Sequence, residues 1–283
     1  MDLILYNPLS KNNKSNIQTN KLVRKYKKNK TPFRLKSILK IQDIKEYLDT
    51  KKDIDRVILL GGDGTLNRFV TELVDYGFTQ DIYLKPNGSG NDYMRTLRGS
   101  DKEAQYVMEA KLDTGIKTNF INGAGMGVDG YVGYLIDQGT NKGFYGYLKS
   151  TIKALIKYIP EPIVINIDGK EHKFKKAYLV SVNNGKYVGG GMKMAPLANI
   201  HDETIDVLVA HSISKIFLIF IFLTIYTGKH LKFKKYIFHA KGKHIKATFT
   251  SPQIYQADGE SYYDVTSFEV KSTGKTLHFK AFE

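Results

Sequence analysis

The sequence of 283 residues contains no cysteine, which excludes disulfide bonds and cysteine-based zinc sites. It also lacks an apolar run long enough to cross a bilayer, because about 20 residues are needed. The most apolar stretch, Ile216–Tyr226, is much shorter than that. The chain starts with an acidic residue, Asp2, and no basic segment, so its first apolar residues predict a strand and no signal peptide. Nothing in the sequence indicates an oxidising compartment, and we expect a cytoplasmic protein.

The chain carries a large excess of positive charge, with 43 Lys and Arg against 28 Asp and Glu and a formal net charge of +15. Such an excess attracts polyanions, which include nucleic acids, nucleotides and anionic lipid surfaces. A lysine-rich surface that only keeps the protein soluble would explain the same net charge. Composition alone leaves these interpretations open.

The first part of the chain alternates strand-like and helix-like segments. Short apolar runs at Leu3–Tyr6, Val57–Leu60 and Ile82–Leu84 predict strands, and the spacing within Ile41–Leu48 and Leu66–Tyr76 predicts helices. Glycine-rich turns directly follow the second and third strands. This order is typical of an open α/β sheet.

Beyond Leu112 the pattern changes to strand-like runs separated by Gly, Asn and Asp-Gly turns, with one helical segment at Tyr145–Tyr158. The predicted strands are Phe120–Asn122, Ile163–Ile167, Ala177–Val182, Thr204–Ala210, Ile245–Thr250, Gln253–Gln256 and Phe268–Lys271. We therefore predict an α/β domain over residues 1–116 and an antiparallel β-rich domain over 117–283. A return of the extreme C-terminus to the first domain stays open.

The apolar stretch Ile216–Tyr226 has two interpretations. It is either a helix or strand buried in the core, or an interfacial patch on a membrane. The second is suggested by the basic residues that follow: His230, Lys232, Lys234, Lys235, Lys241, Lys243 and Lys246.

The strongest local motif is the run Gly61–Asn67, GGDGTLN, between a predicted strand and a predicted helix. Glycines let the main chain turn sharply, and the amide groups at a helix start bind anions such as phosphate. An aspartate in such a loop suggests Mg²⁺, because it would otherwise repel phosphate. The Walker, dinucleotide-binding and protein-kinase signatures are all missing.

A second glycine loop, Pro86–Asp92, follows the next predicted strand and also contains Asn and Asp. Loops at the carboxyl ends of neighbouring strands in an open α/β sheet meet at one crevice. The sequence therefore predicts that both loops line a single phosphate site.

Together these motifs resemble the catalytic domain of the diacylglycerol kinase family, which includes the sphingosine and ceramide kinases. The two loops read GGDGTLN and GSGNDYMRTL, and the resemblance continues in order along most of the chain. The further matching segments are Tyr6–Pro8, Phe120–Asp129, Gly189–Gly191, Ala195–Ala198, Asp202–Asp206 and Asp258–Glu260.

The resemblance implies an open α/β nucleotide domain similar to that of NAD kinases, an antiparallel β-sandwich, and ATP bound between them. It implies a Mg²⁺-assisted transfer of the γ-phosphate to the hydroxyl of a membrane lipid, first of all diacylglycerol. Asp63 and Asp92 would organise Mg²⁺ and the phosphate donors, and Glu260 would be the general base. The residues implied to bind ATP are Asn7, Gly61, Gly62, Asp63, Gly64, Thr65, Asn67, Gly88, Ser89 and Asn91.

The resemblance also implies a structural Mg²⁺ held by Asp202 with the main-chain carbonyls of Asn199 and Thr204. It further implies peripheral binding at the inner face of the membrane and no nucleic-acid partner, while a homodimer stays open. Three positions depart from the family: the first loop, Pro8–Asn12, lacks a usual glycine, Arg68 stands where an acid is common, and Glu203 replaces a glycine.

Two alternative functions therefore stay open. One is an NAD kinase-like activity on a small molecule, because the first glycine loop is common to both groups. The other is a catalytically impaired protein that binds lipid or nucleotide, which is suggested by Arg68 and the altered first loop. The histidines His230, His239 and His244 have no acid or cysteine nearby in sequence and predict a basic surface.

Overall fold

The structure, a computed structural model, describes residues 1–10, 15–51, 53–78, 81–88, 90–98, 104–137 and 144–282. The chain forms two lobes. The first lobe comprises residues 1–98 and 278–282, and the second comprises 104–277. The predicted fold class is confirmed: an open α/β lobe is followed by an antiparallel β-rich one.

A parallel sheet forms the centre of the first lobe. Its strands are β1 (Asp2–Tyr6), β2 (Phe33–Ser37), β3 (Arg56–Gly61) and β4 (Asp81–Pro86), in the order β2-β1-β3-β4. Helices α1 (Ser15–Lys28), α2 (Ile44–Asp49), α3 (Asp63–Leu73) and α4 (Asp92–Leu97) connect them, with 3₁₀ turns at Ile38–Lys40 and Val74–Tyr76.

Both faces of this sheet are covered. Leu3, Val57 and Leu59 pack into one core, and Ile4 and Ile58 pack into another on the opposite face. Burial on both faces explains why the strands read as unbroken apolar runs in the sequence.

The second lobe is built from nine further strands. They are β5 (Gln105–Leu112), β6 (Lys117–Phe120), β7 (Gly123–Gly127), β8 (Glu161–Ile167), β9 (Lys170–Asn183), β10 (Ile205–His211), β11 (Ile237–Gly242), β12 (His244–Ala257) and β13 (Glu260–Ala281). Their pairings within the second lobe are all antiparallel, and β7 and β8 each bridge β9 and β12. The strands enclose a core of buried aliphatic and aromatic residues.

Three helices cover one side of this lobe: α5 (Val128–Asp137), α6 (Phe144–Lys157) and α7 (Lys215–Ile225). They pack with a 3₁₀ turn at Lys229–Lys232 around a separate apolar cluster. The stretch predicted as either core or interface is α7, whose residues Leu218 and Ile221 are buried while Ile216 is exposed. Among the described residues, no helix combines the length and apolar character needed to cross a membrane.

The last strand, β13, belongs to both sheets. Its first part pairs with β12 and β5 in the second lobe, and His278–Ala281 pairs in parallel with β4 in the first. The strand β5 lies before the predicted boundary at residue 116, yet it pairs with β13 and β6 in the second lobe. In the structure the second sheet therefore begins at Gln105.

Several elements differ from the sequence prediction. Strands β2 and β5 and helix α5 were not predicted, and the two runs predicted within Ile245–Gln256 are one strand, β12. The predicted strand Phe120–Asn122 ends at Phe120. Polar residues such as Gln105 and Glu109 break the apolar pattern of β5, so the sequence did not predict this strand. Its pairing with the distant strand β13 defines it.

The return of β13 predicts a large effect of Phe279→Ala on stability. Phe279 is fully buried, and the side chain of Gln105 accepts a hydrogen bond from its amide (2.7 Å). Loss of a buried phenyl ring should lower the free energy of unfolding by about 3–5 kcal/mol, measured by urea denaturation. Tyr263→Ala, at a half-exposed ring in the same strand, should cost less than about 1 kcal/mol. Equal losses in the two variants would contradict the packing assigned to Phe279.

Candidate active site

The two glycine loops touch each other main chain to main chain. A Cβ added to Gly88 would lie 2.3 Å from the Cα of Gly62, and one added to Gly62 would lie 2.8 Å from the Cα of Gly88. The amide of Asn87 donates a hydrogen bond to the carbonyl of Gly61 (2.9 Å). Only glycine fits at this crossing, and the loops converge as the sequence predicted.

Two aspartates at helix starts link these loops. Asp63 begins α3 and accepts a hydrogen bond from the amide of Tyr93 in α4 (3.0 Å). Asp92 begins α4 and accepts one from the amide of Gly190 in the second lobe (2.6 Å) and one from Arg95 (2.7 Å). Burial and then the charge of Asp63 raise the pKa of Asp92, against the opposing effect of its donors. The first amides of α3 have no partner within the helix, so they offer an anion site beside these carboxylates.

A third carboxylate, Asp258, approaches from the turn between β12 and β13. Its oxygens accept hydrogen bonds from the amides of Ile121 (2.8 Å), Asn122 (3.0 Å) and Gly123 (3.1 Å). These donors favour the charged form, but burial outweighs them. Burial, with a smaller contribution from the charge of Asp63, raises the pKa of Asp258 to about 7.

A fourth carboxylate, Asp129, lies near the start of α5 and accepts a hydrogen bond from Gln256 (2.5 Å). Burial raises its pKa. Asp63, Asp92, Asp129 and Asp258 all line one open cavity of about 260 Å³, which lies where the lobes meet. Glycines 90, 123, 189 and 190 form part of its wall.

Four acids around one cavity favour a bound cation. Among the described residues, no three acidic or histidine side chains are close enough together to hold a metal ion by themselves. Mg²⁺ ordinarily binds one or two carboxylates and completes its shell with phosphate oxygens and water. The donor set of this cavity therefore fits a Mg²⁺ that arrives with a polyphosphate.

The other side chains predicted to bind ATP lie near the ends of β1 and β3. The side-chain nitrogen Nδ2 of Asn7 donates a hydrogen bond to the hydroxyl of Thr65 (2.9 Å), so residues far apart in sequence meet here. Asn67 is buried, and its Oδ1 has no hydrogen-bond partner among the described residues.

In the second loop, Asn91 closes the turn. Its side chain accepts a hydrogen bond from the amide of Gly88 (3.0 Å) and donates one to the carbonyl of the same residue (2.9 Å). Asn91 also adopts a positive φ of 54°. The predicted ATP contact at Ser89 lies outside the described residues.

The predicted general base, Glu260, lies at the rim of the cavity. It is exposed at the start of β13, and its carboxylate accepts a hydrogen bond from the hydroxyl of Tyr262 (3.1 Å). Its neighbours Gly259 and Ser261 line the cavity, whereas Glu260 itself does not. The main chain at Glu260 therefore adjoins the cavity, while the contact of its carboxylate is with Tyr262.

The residues predicted to hold a structural Mg²⁺ lie together but away from the cavity wall. Asp202 accepts hydrogen bonds from the amide of Thr204 (2.8 Å) and the side chain of Asn199 (2.8 Å). Burial works to raise the pKa of Asp202, but these donors and the charge of Lys241 hold it below its ordinary value. Hydrogen bonds already satisfy this carboxylate, and we assign no step to an ion there. The structural metal stays a prediction.

Two family models match successive parts of the chain. One, described as the diacylglycerol kinase catalytic domain, matches residues 2–119. The other, described as the YegS C-terminal NAD kinase beta sandwich-like domain, matches residues 123–272. The chain belongs to the diacylglycerol kinase family that joins these two domains.

The names of relatives agree with this kinase family. The chain is 26% identical over 269 residues to "Putative lipid kinase YtlR" of Bacillus subtilis, which covers 85% of this chain and 83% of that protein. A "Putative lipid kinase" of Staphylococcus epidermidis is 27% identical over 161 residues, or 53% of this chain and 52% of the relative.

The fold is also shared with solved structures. A structure titled "putative diacylglycerol kinase" from Bacillus anthracis aligns over 95% of this chain and 91% of its own, with a TM-score of 0.68 and 23% identity. An NAD kinase from Archaeoglobus fulgidus, in complex with ATP, aligns over 98% and 92% with a TM-score of 0.52 and 10% identity.

Arg68 stands where the kinase family commonly has an acid, and the structure shows which groups it contacts. The guanidinium of Arg68 pairs with Glu72 (3.0 Å) and donates to the carbonyl of Ile41 (3.1 Å). Glu72 in turn accepts from the amide of Ile44 (3.0 Å). Arg68 therefore ties α3 to the segment around α2 and does not line the acidic cavity. Lys11 and Asn12 of the first loop lie outside the described residues.

Sequence reasoning missed three polar residues of this site. Asp258 was grouped with Glu260 in one motif, but only Glu260 was given a role. Asp129 was noted as part of a matching segment without a function. Arg95, which also donates to the carbonyl of Gly90 (2.5 Å), was quoted within the second loop motif and given no role. An aspartate after Gly-Met-Gly-Val and one before Gly-Glu were the available signals.

The crossing of the glycine loops predicts that Gly88→Ala destabilises the protein. The new methyl group would collide with the main chain of Gly62, which has no side chain to move away. We expect a loss of about 1–3 kcal/mol in the free energy of unfolding, measured by urea denaturation. Gly64→Ala is the matched control, because nothing lies within 4 Å of the added carbon and alanine is the better helix former. Unchanged stability of the Gly88 variant would disprove the close crossing.

Asp258→Asn should flatten the pH dependence of stability. The folded pKa of about 7 lies above the ordinary value of 3.8, so the folded state holds a proton that the unfolded state releases. The free energy of unfolding therefore falls as pH rises from about 4 to about 7, by up to about 1.4 kcal/mol per pH unit from this group, and levels off above. Urea denaturation between pH 5 and 8 should show a shallower fall in the variant.

Asp113→Asn serves as the control for this pH series. Burial raises the pKa of Asp113, but hydrogen bonds from Thr266 and Ser267 more than offset it and leave the pKa lowered. The stability that these bonds provide is lost only below about pH 4. The control should thus shift stability by a constant amount across pH 5 to 8. If the free energy of unfolding of Asp258→Asn fell with pH as steeply as that of the wild type, a raised pKa of Asp258 would be ruled out.

Proposed function

We propose that the protein is an ATP-dependent lipid kinase that transfers the γ-phosphate to the hydroxyl of a membrane lipid, first of all diacylglycerol to give phosphatidic acid. One observation carries the proposal. Asp63, Gly90 and Asp92 of the two touching glycine loops line the same cavity as Asp258 and Gly259, which directly precede Glu260. Phosphoryl transfer needs close placement and charge stabilisation more than covalent chemistry, and this cavity supplies both.

The phosphates of ATP would lie against the start of α3. The main-chain amides of Gly61–Thr65 and the side chains of Asn7, Asn67 and Ser89 would hold them. Mg²⁺, when bound with ATP, would neutralise charge on the phosphates, with Asp63 and Asp92 as its protein partners. Arg95 keeps Asp92 oriented towards the second lobe through its ion pair.

Glu260 would act as the general base. As the lipid oxygen forms its bond to the γ-phosphorus, the bond from that phosphorus to the β–γ bridging oxygen breaks, and the hydroxyl proton moves to the Glu260 carboxylate. ADP leaves with the electron pair of the broken bond. The exposed position of Glu260 at the rim suits an acceptor that enters from the surface.

An apolar pocket favours a lipid acceptor over NAD. It lies under α5, α6 and α7 and is lined almost entirely by aliphatic and aromatic side chains. Asp129, Val132 and Met192 line both this pocket and the acidic cavity. With a volume of about 60 Å³ the pocket has room only for the part of an acyl chain next to the hydroxyl head, whereas the polar NAD molecule gains nothing from such a lining.

The kinase proposal is tested with purified protein, Mg²⁺, labelled ATP and either dioleoylglycerol micelles or NAD. We expect labelled phosphatidic acid and no labelled NADP. Glu260→Gln should reduce the turnover number by roughly 10²- to 10⁴-fold, and Asp63→Ala should abolish measurable transfer. Glu269→Gln, on the same strand but paired with His244 at the surface, should retain activity.

Three outcomes would overturn parts of this proposal. Phosphorylated NAD without phosphorylated lipid would favour the NAD kinase alternative. ATP binding without transfer to any lipid alcohol would favour the impaired-protein alternative. Full activity of Glu260→Gln would remove Glu260 as the base.

A further inference from the structure

Helix α7 has an apolar face on each side. Leu218, Ile221 and Phe222 point into the protein and are buried. On the other side, Ile216 is 86% exposed, Phe220 is 52% exposed and Leu223 is 56% exposed. These three residues follow the i, i+4, i+7 spacing of a single helical face. Water therefore contacts a row of large apolar side chains that nothing in the described chain covers.

The exposed row continues onto the end of α6. The ammonium of Lys215 donates to the carbonyl of Ile156 (2.5 Å), which brings the start of α7 against this segment. Ile156 and Ile159 are 50% and 75% exposed. We call these five residues the α7 patch: Ile156, Ile159, Ile216, Phe220 and Leu223. A cluster of this kind on a folded protein usually marks an interaction surface.

Aromatic rings hold the centre of the patch in place. Phe217 stacks on Phe220 with ring centroids 5.6 Å apart, and both rings meet Phe233 edge to face. Tyr236 meets Phe217 at 5.2 Å. Rigid aromatic side chains of this kind suit the boundary between lipid headgroups and acyl chains.

The charge in the sequence around α7 has one sign. No aspartate or glutamate occurs between Asp206 and Asp258, whereas this interval contains lysines at 215, 229, 232, 234, 235, 241, 243 and 246. The five nearest to α7 in sequence, Lys215, Lys229, Lys232, Lys234 and Lys235, are all exposed. Apolar residues ringed by lysines complement an anionic membrane, where lysines meet headgroups and apolar residues enter the acyl boundary.

The inner side of α7 forms part of the wall of the apolar pocket. Leu218, Ile221, Phe222 and Ile225 line this pocket, which shares residues with the acidic cavity. The helix therefore separates the exposed patch from the pocket that a lipid chain would occupy. With 11 residues, α7 is about 16 Å long, so it can lie in the interface of one leaflet but is too short to span the bilayer.

We propose that the α7 patch and its flanking lysines dock the protein on anionic bilayers, with α7 lying in the interface over the apolar pocket. The proposal rests on the proposed lipid kinase function for its purpose, because docking would place the pocket where diacylglycerol resides. The surface chemistry is nevertheless a property of the folded chain and is measurable without any kinase activity.

Vesicle co-sedimentation tests the docking surface. The wild-type protein should bind phosphatidylglycerol-containing vesicles and bind pure phosphatidylcholine vesicles at least about tenfold more weakly. The triple variant Ile216→Ser, Phe220→Ser, Leu223→Ser should bind anionic vesicles on the order of tenfold or more weakly than wild type. The matched control, Ile17→Ser, Leu35→Ser, Ile116→Ser, removes three exposed apolar residues elsewhere and should bind normally.

A second pair of variants tests the charges. Replacing Lys232, Lys234 and Lys235 with Gln should weaken binding roughly fivefold per lysine, or about a hundredfold in total at low salt. Replacing the exposed Lys21, Lys27 and Lys28 of α1 with Gln changes the net charge equally and should have a much smaller effect. Equal effects of the two sets would mean that net charge alone drives binding, which would overturn the assigned surface.

Soluble dioctanoylglycerol, assayed without vesicles, separates docking from catalysis. The serine triple variant should phosphorylate this monomeric substrate at the wild-type rate while losing activity on bilayer diacylglycerol. Normal vesicle binding by that variant would overturn the proposal, whether or not the protein is a kinase. A second result would also overturn the proposal. If light scattering showed a wild-type dimer that the same substitutions convert to a monomer, the patch would be a contact between two copies of the chain. Vesicle binding without any lipid phosphorylation would support docking and contradict only the kinase function.

Discussion

The burial of aspartate carboxylates around one cavity is the constraint on which the rest of the site depends. Asp63 and Asp92 belong to the first lobe, and Asp129 and Asp258 belong to the second. The pKa values of Asp92, Asp129 and Asp258 are all raised, chiefly by burial. Removing these carboxylates from water disfavours their charged form, and a bound cation would offset that cost. Main-chain and side-chain donors hold the carboxylates in place until then.

One of these donors also joins the two lobes. The amide of Gly190, in the second lobe, binds Asp92 of the first, while Tyr93 and Asp63 bind within the first lobe. Asp258 fixes the turn between β12 and β13 against the start of β7. The bond from Gly190 to Asp92 therefore connects the second glycine loop to the lobe that carries the Asp258–Glu260 turn.

Local sequence patterns predicted the features that depend on local physics. The glycine loops, the unbroken strand before Gly61 and the helix after it were all readable, because turn geometry and periodicity act over a few residues. Asp258 was different, since its three donors lie at 121–123, more than 130 residues away. Its sequence context indicated only a turn. Strand β5 was hidden in the same way, and the partners of Arg68 became visible only after α2 and α3 were in place.

The shared strand β13 has a mechanical consequence. One continuous strand is hydrogen-bonded to both sheets, so the two lobes cannot rotate freely relative to each other. Its register shifts between Ser272 and Thr276, where Gly274 takes a φ of 70°. The strand β5 pairs with β13 on both sides of this bulge, and β13 passes to the other sheet directly afterwards, between Leu277 and His278. A change in the angle between the lobes would therefore have to bend the backbone of β13 at this passage, next to the bulge.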